Sequence, residues 1–135
     1  RRKVSGPLLD RIDLHVEVPA LPSADLDSGV PPESSSRVRT RVLAARERQA
    51  ERTGDRRLTN AALTPGRLRA TGAVLSEASA LLSRAMDRLG LSARGHQRVL
   101  RVARTIADLE GSAETGPAHV AEALRYRAAT PGRTP

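Results

Sequence analysis

A small helical bundle is the fold class that this sequence predicts, and three observations lead to it. The chain of 135 residues contains one Met, one Tyr and no Phe, Trp or Cys, so its core must consist of Leu, Val, Ile and Ala side chains. Small side chains suit close contacts between helices better than a sandwich of sheets. Apolar residues recur at steps of three and four through most of residues 36–128. Only residues 12–18 show strand-like alternation, and no second such run could pair with them.

The strand-like run is the first element of the chain. Ile12 to Val18 alternate apolar and polar residues without a fault, which is the period of a strand with one buried face. The preceding Gly-Pro-Leu-Leu-Asp indicates a short turn that brings Arg11 to the start of this strand. Because a lone strand cannot satisfy its own backbone groups, we expect residues 1–18 to be the end of an α/β core whose other strands are missing.

The rest of the chain divides by composition. Residues 19–35 hold four prolines together with glycine and several serines, which predicts a flexible linker. Residues 36–128 are predicted to form the helical domain, and residues 129–135 a flexible tail. Start and stop signals bound most of the helices. The predicted helices are 36–52, 65–70, 75–89, 93–110 and one that begins at Pro117.

Two of these helices have faces that can be read from their period. In the first, one side is predicted to carry Val38, Val42, Ala45 and Gln49, with arginines covering the rest. In helix 93–110, steps of about one hundred degrees separate an apolar side from a charged side. The apolar side is predicted to contain Val99, Val102, Ala103, Ile106 and Leu109, and the charged side Arg94, Arg98, Arg101 and Asp108.

The charge balance favours phosphate as a partner. The net charge is +8, and all but one of the 23 basic residues are arginines, whose planar forks match phosphate oxygens. A genome rich in G and C produces the same excess of arginine, so composition alone leaves both readings open. The absence of cysteine excludes disulfides and thiolate metal sites. His15, His96 and His119 lie at no ligand spacing, so we expect no metal site.

No apolar run approaches the length of a membrane span, and no signal peptide is visible. A chain that begins inside a domain could not show such a peptide. We therefore expect no membrane partner, and the cytoplasm is the default location.

Residue type and position alone indicate two arginines that could interact with phosphate. Arg11, at the mouth of a strand, could project across a subunit boundary, although an Asp-Arg pair before a strand is more often a surface ion pair. Arg94 follows the Ser92 cap by two residues, where free backbone amides favour an anion. The alternative for Arg94, Arg98 and Arg101 is the solvated face of an amphipathic helix.

Two motifs in this order also carry a resemblance. Leu8-Leu9-Asp10-Arg11-Ile12-Asp13-Leu14-His15-Val16-Glu17-Val18, followed by Leu91-Ser92-Ala93-Arg94-Gly95, resembles the C-terminal part of a AAA+ ATPase. The match is best with the magnesium-chelatase-like family, which includes the bacterial competence-associated helicase. It covers the chain from about Val4 to Arg127. The resemblance implies that the helical bundle is the AAA+ lid, or magnesium-chelatase C-terminal domain.

The resemblance also implies roles for single residues. Arg11 occupies the position of the family's arginine finger, which acts on the nucleotide of a neighbouring subunit. Arg94 and Gly95 match the Arg-Gly of sensor 2, the lid residue that detects the γ-phosphate. Arg98 and Arg101 receive no family role and are candidates for DNA contact. ATP and Mg²⁺ are the cofactors implied for a full-length parent, and neither is expected to be bound to this fragment.

Three functions remain open at this point. The first is the lid of a ring-forming ATPase that moves branched DNA, with neighbouring subunits and DNA as its partners. The resemblance implies a hexamer for such a ring. The second is a magnesium-chelatase ATPase subunit, although chelatases usually have Phe where this chain has Ile12. The third is a free-standing helical DNA-binding module that would read DNA through Gln97, Arg98 and Arg101. No Gly-x-x-x-x-Gly-Lys phosphate loop occurs in the sequence, so hydrolysis by this chain alone is not expected.

Overall fold

The computed structural model describes Leu8, residues 11–20, Pro22, Gly29 and residues 31–128. Within these residues the chain is mainly helical and contains no sheet, which confirms the predicted fold class. The elements are α1 (Ser35–Thr53), a 3₁₀ turn (Asn60–Ala62), α2 (Pro65–Thr71), α3 (Ser76–Leu89), α4 (Ala93–Glu110) and α5 (Pro117–Ala128). The predicted tail, eight of the 17 residues of the predicted linker, and residues 1–7, Leu9 and Asp10 lie outside the described residues.

Local capping chemistry sets the helix ends. Ser92 accepts a hydrogen bond from the backbone N–H of Gly95 at 3.1 Å, which satisfies a free donor in the first turn of α4. Thr64 caps α2 in the same way, and Pro65 takes the first helical position. Gly111 ends α4 with a φ of 79°, a left-handed conformation that residues with a Cβ rarely adopt. These signals explain why the sequence predicted the helix ends within one or two residues.

The core lies around α4, which packs against α5, α1 and the 3₁₀ turn, while α3 packs against α5. Burial of aliphatic side chains between these elements supplies the main driving force for folding. The buried apolar cluster consists of Leu63, Leu68, Ala78, Leu82, Val99, Leu100, Ala103, Ile106, Val120 and Ala123. The core is therefore made of small and branched side chains, as the composition predicts.

Two faces differ from their predictions. Ala45 and Gln49 of α1 are buried, but Val38 and Val42 are exposed because only the C-terminal half of α1 lies against the bundle. In α4, Asp108 is completely buried, whereas Leu109 is 46% exposed. A single-sided period fails here because α4 is covered by α1 on one side and by α5 on another.

The segment predicted to be a strand forms no ladder with any residue that the structure describes. Ile12, Leu14, Val16 and Val18 have exposed side chains, although their period predicts a buried face. The physical reason is that a strand needs a partner strand for its backbone N–H and C=O groups, and none is present among the described residues. The segment instead lies on the surface of the bundle.

Candidate functional site

Residues 11–18, here called the N-terminal segment, contact the first half of α4 and the end of α5. The Nη1 atom of Arg98 donates a hydrogen bond to the carbonyl oxygen of Arg11 at 2.7 Å and forms an ion pair with the Asp13 carboxylate. The Nη1 atom of Arg127 donates to the carbonyl oxygen of Ile12 at 2.8 Å. The N–H of His15 donates to the carbonyl oxygen of Tyr126 at 2.9 Å. Hydrogen bonds from both helices therefore fix the backbone that carries Arg11.

Arg11 is itself exposed and begins this docked segment. Its N–H donates to the carbonyl oxygen of Leu8 at 3.0 Å, which closes a turn, and its own carbonyl is held by Arg98. The backbone of Arg11 is thus fixed on both sides while the residue faces solvent. Such an arrangement suits an arginine that reaches towards a separate molecule.

Arg94 lies in the first turn of α4, one helical turn before Arg98. It is exposed, and it makes no hydrogen bond or ion pair with the parts of the chain that are described. The positive end of the helix dipole lies at the same place, which favours an anion. Arg98, which follows Arg94 by one turn, contacts the backbone of Arg11, so this one side chain connects the two positions.

Gly95 is buried next to this surface. A Cβ atom added there would lie 3.4 Å from Nη2 of Arg127, 3.5 Å from Cβ of Leu91 and 3.6 Å from Oγ of Ser92. These are ordinary contact distances, so packing does not require glycine at this position. The φ angle gives no reason either, since Gly95 is not among the residues with positive φ.

The other two arginines proposed for DNA contact are used within the chain. The side chain of Arg98 is only 19% exposed because of its pairing with Asp13. Arg101 is half-buried, and its Nη2 donates to the carbonyl oxygen of Leu63 at 2.8 Å. Of the three arginines along this face, Arg94 is the one whose guanidinium is exposed and has no partner in the described part of the chain.

Electrostatics near the start of α4 also favour an anion. Burial lowers the pKa of His96, and the positive charge of Arg69 lowers it further. His96 is therefore neutral near pH 7, and the charge at this end of α4 comes from arginines alone. The described residues contain no group of three or more His, Cys, Asp or Glu that could hold a metal ion.

Sequence reasoning missed a buried ionic network at the other end of α4. Asp108 accepts hydrogen bonds from Arg52 at 2.6 and 3.0 Å, from Asn60 at 2.8 Å and from Nε of Arg104 at 3.2 Å. Its Oδ1 atom also forms an ion pair with Nη2 of Arg104 at 3.0 Å. Arg104 is 1% exposed, and burial lowers its pKa while the neighbouring Asp108 raises it. The spacing of Arg104 and Asp108, four residues apart on a helix, is the one sequence signal that could have found them.

Arg104 also organises the loops around this network. Its Nη1 donates to the carbonyl oxygens of Gly72 at 3.2 Å and Ala113 at 3.0 Å, and its Nη2 donates to that of Ser112 at 2.6 Å. The guanidinium therefore joins the loop after α2 to the loop after α4. Because Arg104 and Asp108 are buried and bond to groups of the chain itself, this network stabilises the fold.

An open depression lies along α3. It is lined by Leu81, Arg84, Ala85, Asp87, Arg88 and Leu89. No helix in the described part of the chain is long and apolar enough to cross a membrane.

Comparisons with known proteins agree with the motifs. Residues 32–127 match the family model "Magnesium chelatase, subunit ChlI C-terminal". The chain is 43% identical to competence protein ComM of Haemophilus influenzae over 127 residues, which are 93% of the chain and 24% of the relative. It is 44% identical to YifB of Escherichia coli over the same shares. An uncharacterized Mycobacterium tuberculosis protein is 44% identical over 93% of the chain and 25% of its own length. The chain thus spans about a quarter of the length of these relatives.

Proposed function

This chain belongs to the magnesium chelatase subunit ChlI C-terminal family, and on that premise we propose that it is the lid region of a ring-forming AAA+ ATPase. In this proposal Arg11 is an arginine finger acting on the nucleotide of a neighbouring subunit, and Arg94 with Gly95 is sensor 2. The observations that carry the proposal are that Arg11 and Arg94 are both exposed, and that Arg98, one turn after Arg94 on α4, contacts the backbone of Arg11.

The chemistry needs positive charge at that surface. When the γ-phosphate of ATP is transferred to water, negative charge develops on its oxygens, and an arginine supplied by a neighbour accelerates the reaction about 10³–10⁵-fold in GTPases. Fixed groups are the most effective because they do not reorganise during the reaction. The turn that closes on Leu8 and the bond from Arg98 hold the Arg11 backbone in this way.

The chain's residues fit the γ-phosphate end of a nucleotide and nothing further. Arg11 and Arg94 would hold the terminal phosphate oxygens, and the first turn of α4 would add its dipole. Mg²⁺, when bound, supplies charge neutralisation between the β- and γ-phosphates. Its ligands and the phosphate loop would come from parts of the full-length protein outside this chain.

We further propose that hydrolysis drives remodelling of DNA, such as movement of branched DNA. The net charge of +8 and the similarity to a competence protein support this part. A magnesium-chelatase ATPase subunit is the second candidate, and the name of the matching family favours it. The two candidates differ in what stimulates hydrolysis, which is DNA for the first and the chelatase partner subunits for the second.

A subunit-mixing experiment on the full-length protein tests the role of Arg11. Arg11→Ala should lower ATP hydrolysis about 10³-fold while ATP affinity changes little. Mixing Arg11→Ala subunits with subunits that keep Arg11 but lack a working phosphate loop should restore hydrolysis. Arg84→Ala, an exposed arginine on α3, is the matched control and should leave activity unchanged. Failure to restore activity in such mixtures would contradict a finger acting between subunits.

A salt series separates the proposed sensor from a DNA-binding face. If α4 binds DNA through a row of arginines, removal of Arg94, Arg98 or Arg101 should each lower the salt slope of DNA binding by about one unit. If Arg94 is a sensor, Arg94→Ala should instead weaken the distinction between ATP and ADP. Equal losses of DNA binding with ATP hydrolysis intact would favour the free-standing DNA-binding module.

A further inference from the structure

The N-terminal segment docks on the bundle through its polar side. Its alternate apolar residues point outward, with Val16 64% and Val18 86% exposed, while Asp13 and His15 are half-buried against α4 and α5. Between the described residues, the polar contacts that hold it include three hydrogen bonds to or from α4 and α5 and the ion pair of Asp13 with Arg98. The docking is therefore directional, since hydrogen bonds fix distance and angle whereas apolar contacts do not.

Arg98 is the residue on which this docking converges. One guanidinium nitrogen contacts both the carbonyl oxygen of Arg11 and the carboxylate of Asp13. The same side chain belongs to α4 and follows Arg94 by one turn. A fixed, planar guanidinium can hold a carbonyl and a carboxylate together, which a flexible lysine does less well. The backbone of Arg11 and the turn that carries Arg94 are thus joined through one side chain.

We propose that Arg98 is a positioning residue, which with Asp13 fixes the Arg11 turn to the helix of Arg94. Arg98 contacts neither nucleotide nor DNA in this role and acts through the backbone of Arg11. A movement of the lid helix would carry the finger with it, so both arginines would reach or leave the γ-phosphate together. The expected effect on hydrolysis rests on the proposed function. The docking of the N-terminal segment through Arg98 can be measured without nucleotide.

The first test uses amide hydrogen exchange on this chain. The His15 N–H, which donates to the Tyr126 carbonyl, reports on docking of the segment. Arg98→Ala and Asp13→Asn should each speed its exchange about tenfold or more, because a charge-assisted contact is lost. Arg98→Lys should restore little of the His15 protection that is lost in Arg98→Ala. The double variant Asp13→Arg with Arg98→Asp should recover part of the protection. The unfolding midpoint and the exchange of α4 core amides show whether the bundle remains folded.

The second test measures ATP hydrolysis in the full-length protein. Arg98→Ala should lower kcat about tenfold or more with KM for ATP little changed, and the charge-swapped double variant should regain part of it. Arg84→Ala is again the control. If the exchange rate of the His15 N–H is unchanged in Arg98→Ala, Arg98 does not hold the segment on the bundle and the proposal is wrong. Faster exchange with unchanged kcat would overturn its role in hydrolysis.

The two tests also separate this inference from the proposed function. If Arg11→Ala leaves hydrolysis intact, the finger assignment fails, and the positioning role of Arg98 fails with it. The exchange result would then still describe how the segment docks. If Arg11→Ala abolishes hydrolysis and Arg98→Ala does not affect it, the proposed function stands and only the positioning role is wrong.

Discussion

The two halves of α4 use arginine in opposite ways. Near its C-terminal end, Arg104 is 1% exposed and donates only to groups inside the fold. Near its N-terminal end, Arg94 is exposed and has no partner in the described part of the chain. The same residue type on one helix therefore stabilises the bundle at one end and remains available for an anion at the other. The environment of each guanidinium, and not the number of arginines, decides which arginines are used inside the fold and which are available to an anion.

The largest expected effect on stability comes from removing the buried ionic network near the C-terminal end of α4. Asp108→Ala leaves Arg104 and Arg52 without their shared carboxylate, so the free energy of unfolding should fall by about 3–5 kcal/mol. Urea unfolding of this chain measures the change. Asp87→Ala, an exposed acid on α3, should change stability by less than about 0.5 kcal/mol. Equal, small changes in both variants would mean that the buried network contributes nothing to stability.

A smaller change in stability, of opposite sign, is expected at the N-terminal end of α4. Gly95→Ala meets neighbours only at ordinary contact distances, and alanine favours a helix over glycine, so stability should rise by up to about 1 kcal/mol. If glycine is present for close approach of the nucleotide, hydrolysis by the full-length protein should fall in the same variant. A Gly95→Ala protein with both higher stability and full activity would remove Gly95 from the site.

The smallest effect is a pH dependence of stability from His96. Because its pKa is lowered in the folded chain, the unfolded chain takes up a proton first as the pH falls below about 6.5. The contribution of a neutral His96 is therefore fully present above pH 6.5 and is lost as the pH falls towards the lowered value. Urea midpoints between pH 7.5 and 5.5 should fall more steeply in the unmodified chain than in His96→Gln. Parallel curves would show that His96 is not perturbed.

The sequence predicts the helices well because their signals are local. The Ser92 cap, the Thr64-Pro65 start and the glycine at position 111 each act on the nearest backbone groups, and no tertiary contact overrides them. The helical class follows from the same signals together with the absence of large aromatic side chains. These features depend on neighbours in sequence, so they can be predicted without coordinates.

The prediction fails where the answer depends on what lies across the fold. Asp108 was expected on the charged side of its helix, but Arg52 and Asn60 from other elements, together with Arg104 of the same helix, make its burial possible. The strand period of Ile12 to Val18 is clear, yet no partner strand is present among the described residues. Arg11 and Arg94 were both predicted as site residues, but the contact of Arg98 with the Arg11 backbone joins distant parts of the chain and could not be predicted from spacing.

The central claim is that the exposed end of α4 detects a nucleotide whereas its buried end only supports the fold. ATP and ADP affinities and hydrolysis rates of the full-length protein test it most directly in Arg94→Ala, with Arg84→Ala as control. The account predicts that Arg94→Ala lowers hydrolysis and brings the two affinities together, while the unfolding midpoint changes by less than about 0.5 kcal/mol in free energy. An Arg94→Ala protein that hydrolyses ATP and separates ATP from ADP as well as the control does would contradict it.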